Sequence, residues 1–202
     1  MSNILLAFNS DCLDPLHGFF QCCADEARQM CADCGLLFTL KSGDEMNEAS
    51  IMSSMDNHCL CVMAAHGSCD SIMNANGDDV ISTRTTNYSF CGKGLYAISC
   101  NCAAMLLPKL IDIGVLFFVG YRDVFRISGE DVTFAQCALS GFRSFIEGKT
   151  LGQAYLDMLT SFDEAIKKAE NSPNIWEKMF LLHDKEALEK YGNDDLKFTD
   201  LS

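Results

Sequence analysis

Residues 59–67 read CLCVMAAHG, an almost wholly apolar run that ends in a histidine and a glycine. A short run of this kind between polar turns predicts a strand buried on both faces, as in the interior of a parallel sheet. Residues 95–99 (LYAIS) have the same character and lead directly into Cys100. The two runs therefore predict adjacent parallel strands, each followed by a residue that can take part in catalysis.

The rest of the chain alternates between apolar runs and amphipathic stretches. Further strands are predicted at residues 3–8, 36–40 and 115–119, and helices at residues 14–34, 44–55, 102–111, 132–146, 151–169 and 176–182. Residues 71–82 contain two apolar patches around Asn76-Gly77, which favours a tight hairpin turn. Strands that alternate with helices predict an α/β fold, a three-layer sandwich whose mostly parallel central sheet has helices on both faces. The hairpin is an insertion after His66.

Length and charge restrict the classes of function. A chain of 202 residues favours one compact domain, which we place at residues 1–172, with a C-terminal helical extension at 173–202 that packs on it or frays. The net charge of −13, without a run of Lys or Arg, argues against nucleic acid as a direct partner. No membrane-spanning stretch and no basic flank at the first residues are found, so we expect a cytoplasmic protein without a membrane partner.

Twelve cysteines raise the question of a disulfide scaffold or a metal site. Cys31 and Cys34 form a CxxC, and Cys59 and Cys61 form a CxC. No second CxxC or matched His pair completes a tetrahedral zinc set, so no metal and no cofactor are predicted. We expect most of the cysteines to be reduced core residues. A nucleotide-binding domain is also disfavoured, because residues 9–12 (NSDC) contain no Gly-rich phosphate loop.

His66 and Cys100 are the candidate catalytic pair. The carboxyl ends of parallel strands carry the chemistry in such sheets, and a nucleophilic thiol needs a base, for which imidazole is the usual choice. Gly67 lets a substrate carbonyl approach the backbone, so the amides of Gly67 and Cys100 are predicted to form an oxyanion hole. Taken singly, a His-Gly turn or a Cys at a strand end is more often structural, but together they predict a hydrolase site.

The chain resembles the caspase-like cysteine peptidases, which include caspases, metacaspases, legumains, separases and the bacterial CHAT proteases. The resemblance covers most of residues 3–170, and the Cys segment and the last motif look most like CHAT proteases. It rests on His66-Gly67, Asn76-Gly77, Ser99-Cys100-Asn101-Cys102-Ala103, Gly120-Tyr121-Arg122-Asp123 and Gly148-Lys149-Thr150. It implies a caspase-like fold and peptide-bond cleavage, and CHAT-like proteases often act in bacterial antiviral defence or cell death.

The resemblance also implies roles for single residues. Cys100, preceded by the small Ser99, would be the nucleophile, His66 would move the protons, and Cys102 would be a packed residue at a helix start. Cys69 lies on a hairpin loop, a less rigid platform than a strand end. The remaining histidines, His17, His58 and His183, have no comparable context. Family members often lack a firm third triad member, so none is assigned.

Substrate specificity and regulation remain open from the sequence. The resemblance implies a pocket lined by the loops after the first and fifth strands, where Asp11, Asp14 and Asp123 would favour a basic substrate residue. Arg122 or Arg126 would instead favour an acidic one, and the overall charge favours the basic residue. No cleavable linker follows Cys100, so we expect activation by a protein partner or upstream sensor. The alternative function is a catalytically silent caspase-like adaptor that binds protein partners.

Overall fold

The structure is a computed structural model and describes residues 3–84, 89–128 and 131–201. Its strands are β1 (Ile4–Phe8), β2 (Phe38–Ser42), β3 (Leu60–Ala64), β4 (His66–Gly67), β5 (Ser71–Met73), β6 (Asp79–Ser82), β7 (Gly94–Ile98), β8 (Phe117–Tyr121) and β9 (Leu188–Gly192). Six of them form a central sheet in the order β2-β1-β3-β7-β8-β9. The first five of these are parallel, and β9 pairs antiparallel with β8. The predicted mostly parallel α/β sheet is confirmed.

The helices cover both faces of this sheet. They are α1 (His17–Asp33), α2 (Glu48–Met55), α3 (Leu106–Asp112), α4 (Asp131–Ile146), α5 (Leu151–Ala169) and α6 (Ile175–Ala187). Alternate residues of β1 point to two separate cores: Ile4 and Leu6 pack with α1, α4, α5 and α6, whereas Leu5 and Ala7 pack with α2 and α3. Because both faces are buried, β1 and β3 read as unbroken apolar runs.

The predicted hairpin forms β5 and β6, joined by a turn in which the Gly77 amide donates to the Asn74 carbonyl at 3.1 Å. Gly77 has a φ of 82°, which explains why glycine follows Asn76 there. One feature was not predicted. The His66–Gly67 dipeptide forms β4 and pairs antiparallel with β5, so it belongs to this small sheet.

Two elements differ from the predicted ones. Helix α3 begins at Leu106 and not at residue 102, because the Met105 and Leu106 amides both donate to the Cys69 carbonyl and the Ala103 amide donates to the Tyr121 carbonyl. These backbone groups are therefore not available for a helical turn. Strand β2 covers Phe38–Ser42 and not residues 36–40, and its residues are partly exposed because it lies at the edge of the sheet.

Residues 173–201 are ordered more fully than the sequence predicts. The segment after α6, which was expected either to pack on the domain or to fray, forms β9, whose five residues pair with all five of β8. Beyond it the Leu151 amide donates to the Leu196 carbonyl at 2.8 Å, and Phe198 and Leu201 are buried. These residues complete the central sheet, while the division of the chain at residue 172 stays a prediction. Within the described part of the chain, no helix is both long and apolar enough to cross a bilayer.

Candidate active site

The ends of β3 and β7 bring His66 and Cys100 to the same edge of the sheet. Ala64 lies opposite Ile98 in the parallel ladder, and the Ala65 amide donates to the Ile98 carbonyl at 3.2 Å. One step further, the Ser99 hydroxyl donates to the His66 carbonyl at 2.9 Å. The two segments thus leave the sheet side by side, as the sequence predicts.

Gly67 packs directly on the backbone at Cys100. A Cβ atom at Gly67 would lie 2.5 Å from the Cys100 carbonyl oxygen and 3.0 Å from its amide nitrogen, and it would also meet the Ser99 hydroxyl. Real Cβ atoms do not come this close to backbone atoms, so position 67 has no room for a side chain. The glycine therefore permits the close approach of the two segments.

Cys100 is presented by a sharp turn. The following residue, Asn101, has a φ of 55°, a left-handed conformation that asparagine tolerates better than most residues. The turn is held from the loop after β8, because the Asn101 amide donates to the Asp123 carbonyl at 3.0 Å. A strained backbone directly after a candidate nucleophile is a feature that clusters at functional sites.

His66 has a carboxylate partner that the sequence did not assign to it. Its Nε2 lies 2.5 Å from the Asp14 Oδ2, and the Asp14 side chain is 4% exposed, against 35% for His66. A carboxylate only accepts hydrogen bonds, so Nε2 carries the proton and Nδ1 is left as the basic nitrogen. The other Asp14 oxygen accepts from the Leu16 amide at 2.8 Å, which fixes the carboxylate. The Phe20 ring packs edge-on against the imidazole at 5.3 Å.

The backbone near the pair offers donors for an oxyanion. In the β4–β5 ladder the Ser68 amide donates to the Ser71 carbonyl, so Gly67 and Ile72 form the next, non-hydrogen-bonded pair. The Gly67 amide therefore points away from β5. The Cys100 amide lies beside its own sulfur, where its hydrogen bond favours the thiolate. The oxyanion hole formed by these two amides stays a prediction.

Cys100 is half-buried, and burial raises the pKa of its thiol. A hydrogen bond from the Phe125 backbone lowers the pKa in part, and the negative charges of Asp184 and Asp123 raise it further. The thiol contacts the Phe125 carbonyl oxygen at 3.8 Å. The Phe125 ring is itself buried, stacked on Phe19 at 5.3 Å and edge-on to Tyr121 at 4.8 Å. The sulfur therefore belongs to a half-buried thiol with a backbone carbonyl against it.

The charged residues that were expected to bind the substrate side chain do not share one environment. Asp11 is exposed in the loop after β1, where its carboxylate accepts from the Leu13 amide at 2.9 Å, and Asp14 contacts His66. Asp123 is exposed and accepts from the Val124 amide at 2.7 Å. Arg122 contacts Glu189 of β9, and the Arg126 guanidinium lies 5.7 Å from the centre of the Phe180 ring. Of these five side chains, the structure shows only that of Asp14 in contact with His66.

Asp184 on α6 is a buried acid that the sequence reasoning missed. Its side chain is completely buried; Oδ1 accepts from the Arg126 amide at 2.9 Å, and Oδ2 has no hydrogen-bond partner. Burial raises its pKa to about 8. The sequence pattern that could have revealed it is its spacing, three residues after Leu181 and three before Ala187, which places it on the same buried helix face.

The other cysteines and histidines have structural surroundings. Cys102 is fully buried, which raises the pKa of its thiol to about 12, whereas Cys69 is exposed. The two imidazole nitrogens of His58 contact the Ser54 carbonyl and the Thr39 hydroxyl, and His183 contacts the Val124 carbonyl. His17, at the start of α1, has a buried Nδ1 without a partner. Among the described residues, no group of three or more His, Cys, Asp or Glu side chains is arranged to hold a metal ion.

Six of the twelve cysteines are buried, so the expectation that most are core residues is too broad.

Comparison with known proteins adds no family assignment. No protein-family model matches the chain, and no curated protein matches it. The caspase-like family therefore stays a prediction that rests on the motifs and on the geometry around His66 and Cys100.

Proposed function

We propose that this chain is a caspase-like cysteine endopeptidase, with Cys100 as nucleophile, His66 as general base and acid, and Asp14 as the residue that orients His66. One observation carries the proposal: the two reactive residues leave adjacent strands side by side, with the Ser99 hydroxyl bonded to the His66 carbonyl. The carboxylate on His66 Nε2 adds a third member in the role that aspartate has in hydrolase triads.

The reaction follows from these positions. His66 Nδ1 accepts the proton of Cys100, and the thiolate attacks the carbonyl carbon of the scissile peptide bond. The oxyanion receives hydrogen bonds from the Gly67 and Cys100 amides. The C–N bond breaks, His66 returns the proton to the leaving amine, and a thioester remains on Cys100. Water, deprotonated by His66, then hydrolyses the thioester and regenerates the thiol.

The proposed enzyme rests in a closed form that a protein partner or upstream sensor opens. The Phe125 carbonyl lies against the Cys100 sulfur, and the Phe125 ring is held between Phe19 and Tyr121. Cys100 is half-buried, so we expect the sulfur to react slowly in this form and faster once this contact separates. Partner-controlled opening fits an enzyme of the cytoplasm that cleaves other proteins in a defence or cell-death system, which is the role that its resemblance to CHAT proteases implies.

A peptidyl electrophile tests the proposal. A mixture of peptides ending in a chloromethyl ketone should label wild type on Cys100 and should leave Cys100→Ala unlabelled at the corresponding peptide. Cys102→Ala, the matched control, should be labelled like wild type, since that sulfur is buried. Labelling that persists in Cys100→Ala and disappears in Cys102→Ala would show that Cys102, and not Cys100, is the nucleophile. A peptide-library digest with wild type and Cys100→Ala in parallel then identifies the cleaved bond.

The second candidate function is a catalytically silent adaptor. The observation that favours it is the half-buried Cys100, whose sulfur contacts the Phe125 carbonyl and whose thiol pKa is raised by burial. The Phe125→Leu variant separates the two functions, because a smaller side chain loosens the loop without leaving a large cavity. Faster labelling of Cys100 in this variant supports the peptidase. A folded Phe125→Leu protein with an unreactive Cys100 supports the adaptor.

A further inference from the structure

Helix α6 holds the loop that follows β8, the loop whose backbone meets the Cys100 sulfur. The Arg122 amide donates to the Ala187 carbonyl at 2.8 Å, and Nε2 of the His183 imidazole lies 2.9 Å from the Val124 carbonyl oxygen. The loop therefore takes its position from the last turns of α6.

Asp184 makes the buried contact between α6 and this loop. Its side chain is completely buried, and Oδ1 accepts from the Arg126 amide at 2.9 Å. This N–H and the Phe125 carbonyl belong to the same peptide group, and the carbonyl oxygen lies 3.8 Å from the Cys100 sulfur. A trans peptide group is planar, with its N–H and C=O on opposite sides. Asp184 and Cys100 therefore contact the two sides of one peptide group, so the carboxyl group fixes the carbonyl that meets the sulfur.

The carboxyl group of Asp184 is a neutral acid in this position. Burial raises its pKa to about 8, and the amide and the guanidinium of Arg126 lower the pKa only in part. Its second oxygen, Oδ2, has no hydrogen-bond partner. An ionised carboxylate would bind the Arg126 amide more strongly, but one such hydrogen bond does not offset the cost of a buried charge. Near neutral pH the proton therefore stays on Asp184.

The titratable groups around Asp184 include one cation, Arg126. The other groups that interact with it electrostatically are the buried Tyr121 of β8, Cys100, and Cys137 of α4. The ion pairs that join α6 to α5, and the loop to β9, lie at the surface; they are Lys185–Asp163, Lys178–Glu170 and Arg122–Glu189. Neither a phenol nor a thiol supplies a positive charge, so burial decides where the proton lies.

We propose that Asp184 is a positioning residue for Cys100: as a neutral acid it holds the Phe125–Arg126 peptide group in the closed form, and loss of its proton releases this peptide group from the sulfur. Water solvates the carboxylate only when the loop leaves α6, so opening of the loop and ionisation of Asp184 favour each other. The link to control of cleavage rests on the proposed peptidase function, whereas the position of the loop does not.

The direction of the pH dependence follows from the two forms of the loop. In the closed form the pKa of Asp184 is raised to about 8, and in the open form the solvated carboxyl group returns to its ordinary pKa of about 4. Above pH 4 the closed form therefore binds a proton that the open form has released. The equilibrium moves towards the open form as the pH rises from about 4 to about 8, by up to about tenfold per pH unit.

The first test compares wild type with Asp184→Asn, which keeps an oxygen for the Arg126 amide and has no proton to lose. The measured quantity is the ratio of their rate constants for alkylation of Cys100 by iodoacetamide. The ratio cancels the ionisation of the thiol and of His66, which the two proteins share. We expect the ratio of wild type to variant to rise about tenfold between about pH 6 and about pH 7.5, because only wild type opens further as the pH rises.

Two results of this measurement overturn the proposal. A constant ratio means that the proton on Asp184 does not control the loop. A ratio that falls with pH means that the charge of Asp184 acts on Cys100 directly, since a nearby negative charge disfavours the thiolate. Glu186→Gln is the matched control, because it removes an exposed carboxylate two residues further along α6 and should keep the pH response of wild type.

Amide hydrogen exchange measures the loop itself and decides the question even if Asp184→Asn does not fold. In wild type, residues 122–127 should exchange about tenfold faster at about pH 7.5 than at about pH 6, after correction for the intrinsic exchange rate at each pH. They should also exchange faster than β1 and β3 at both pH values, because the opening is local. A corrected rate that does not change with pH, or one equal to that of the two strands, overturns the proposal.

The positioning role and the peptidase function can fail separately. Labelling of Cys100 by the peptidyl electrophile, together with a loop that does not respond to pH, removes the positioning role and leaves the peptidase. Exchange of the loop that rises with pH in wild type and not in Asp184→Asn, without any labelling of Cys100, leaves the positioning role and removes the peptidase.

Discussion

Replacing Asp14 by asparagine tests the least expected contact of the candidate site. The substitution keeps the size of the side chain and the Oδ1 that accepts from the Leu16 amide at 2.8 Å, so the start of α1 should be preserved. It removes the negative charge 2.5 Å from His66 Nε2. The introduced carboxamide offers the imidazole a neutral partner, and an imidazolium formed during the reaction loses its counter-charge.

The magnitude follows from the difference between charged and neutral hydrogen bonds. A hydrogen bond to a charged group contributes about 1.5–3 kcal/mol and a neutral one about 0.5–1.5 kcal/mol. The Asp14 side chain is 4% exposed, so water screens the interaction weakly. The loss is therefore about 1–2 kcal/mol, which corresponds to about a 5- to 30-fold lower rate of any step in which His66 holds the Cys100 proton.

Alkylation of Cys100 by iodoacetamide measures this effect without a known substrate. The rate constant is followed against pH from the mass of the peptide that contains Cys100, which separates it from the exposed Cys12, Cys69 and Cys91. Burial raises the pKa of the Cys100 thiol, so the thiolate that reacts depends on transfer of its proton to His66. We expect Asp14→Asn to react about 5- to 30-fold more slowly at pH 7, with its profile displaced to higher pH.

The control is Asp11→Asn. Asp11 lies in the same loop and its carboxylate accepts from the Leu13 amide, so its replacement should leave the alkylation profile of Cys100 unchanged. Superimposable profiles of wild type and Asp14→Asn would refute the assigned role, because the carboxylate would then stabilise no charge on His66. Equal slowing in both variants would point to a general loss of negative charge near the site and would also refute it.

Three further substitutions give expected outcomes. Gly67→Ala should lower the free energy of unfolding in urea by about 1–3 kcal/mol, because the new Cβ overlaps the Cys100 backbone and the Ser99 hydroxyl; an unchanged midpoint would contradict the close approach. Asp184, whose pKa is raised to about 8, binds a proton in the folded state that the unfolded state has released above pH 4. Wild type should therefore lose stability relative to Asp184→Asn as the pH rises from about 4 to about 8, and a pH-independent difference would contradict this. Phe125→Leu should accelerate alkylation of Cys100 under conditions where urea melts show a folded protein; an unchanged rate would mean that Phe125 does not cover the sulfur.

The adjacency of His66 and Cys100 was predictable because it depends on strand order and burial. Both follow apolar runs, and consecutive parallel strands that are buried on both faces read clearly in a sequence. The partner of His66 was not predictable in the same way. Asp14 was expected to read the substrate, and its direction is set by local turns, in which its amide donates to the Asp11 carbonyl and its Oδ1 caps the Leu16 amide. Periodicity contains no information on such turns.

Strand β9 shows a second limit of sequence patterns. Its residues, LEKYG, carry two large apolar side chains that do not alternate, and the strand is only partly buried. Its pairing depends on the open edge of β8, which exists only after the parallel sheet has formed. An unpaired edge with free backbone groups favours such a partner whatever its side chains are. Tertiary context therefore decides this element, as it does the delayed start of α3.

The loop after β8 makes two contacts with the turn that carries Cys100. These contacts indicate which part of the loop would move when the proposed closed form opens. The Asp123 carbonyl accepts from the Asn101 amide and so holds the turn that presents Cys100, whereas the Phe125 carbonyl, two residues later, contacts the sulfur. Opening must break the second contact and keep the first, or the nucleophile would lose its geometry. Val124 lies between them, with its carbonyl bonded to His183 of α6. In the proposed closed form the hinge would therefore fall at Val124 to Phe125, next to α6, whose Asp184 accepts from the Arg126 amide.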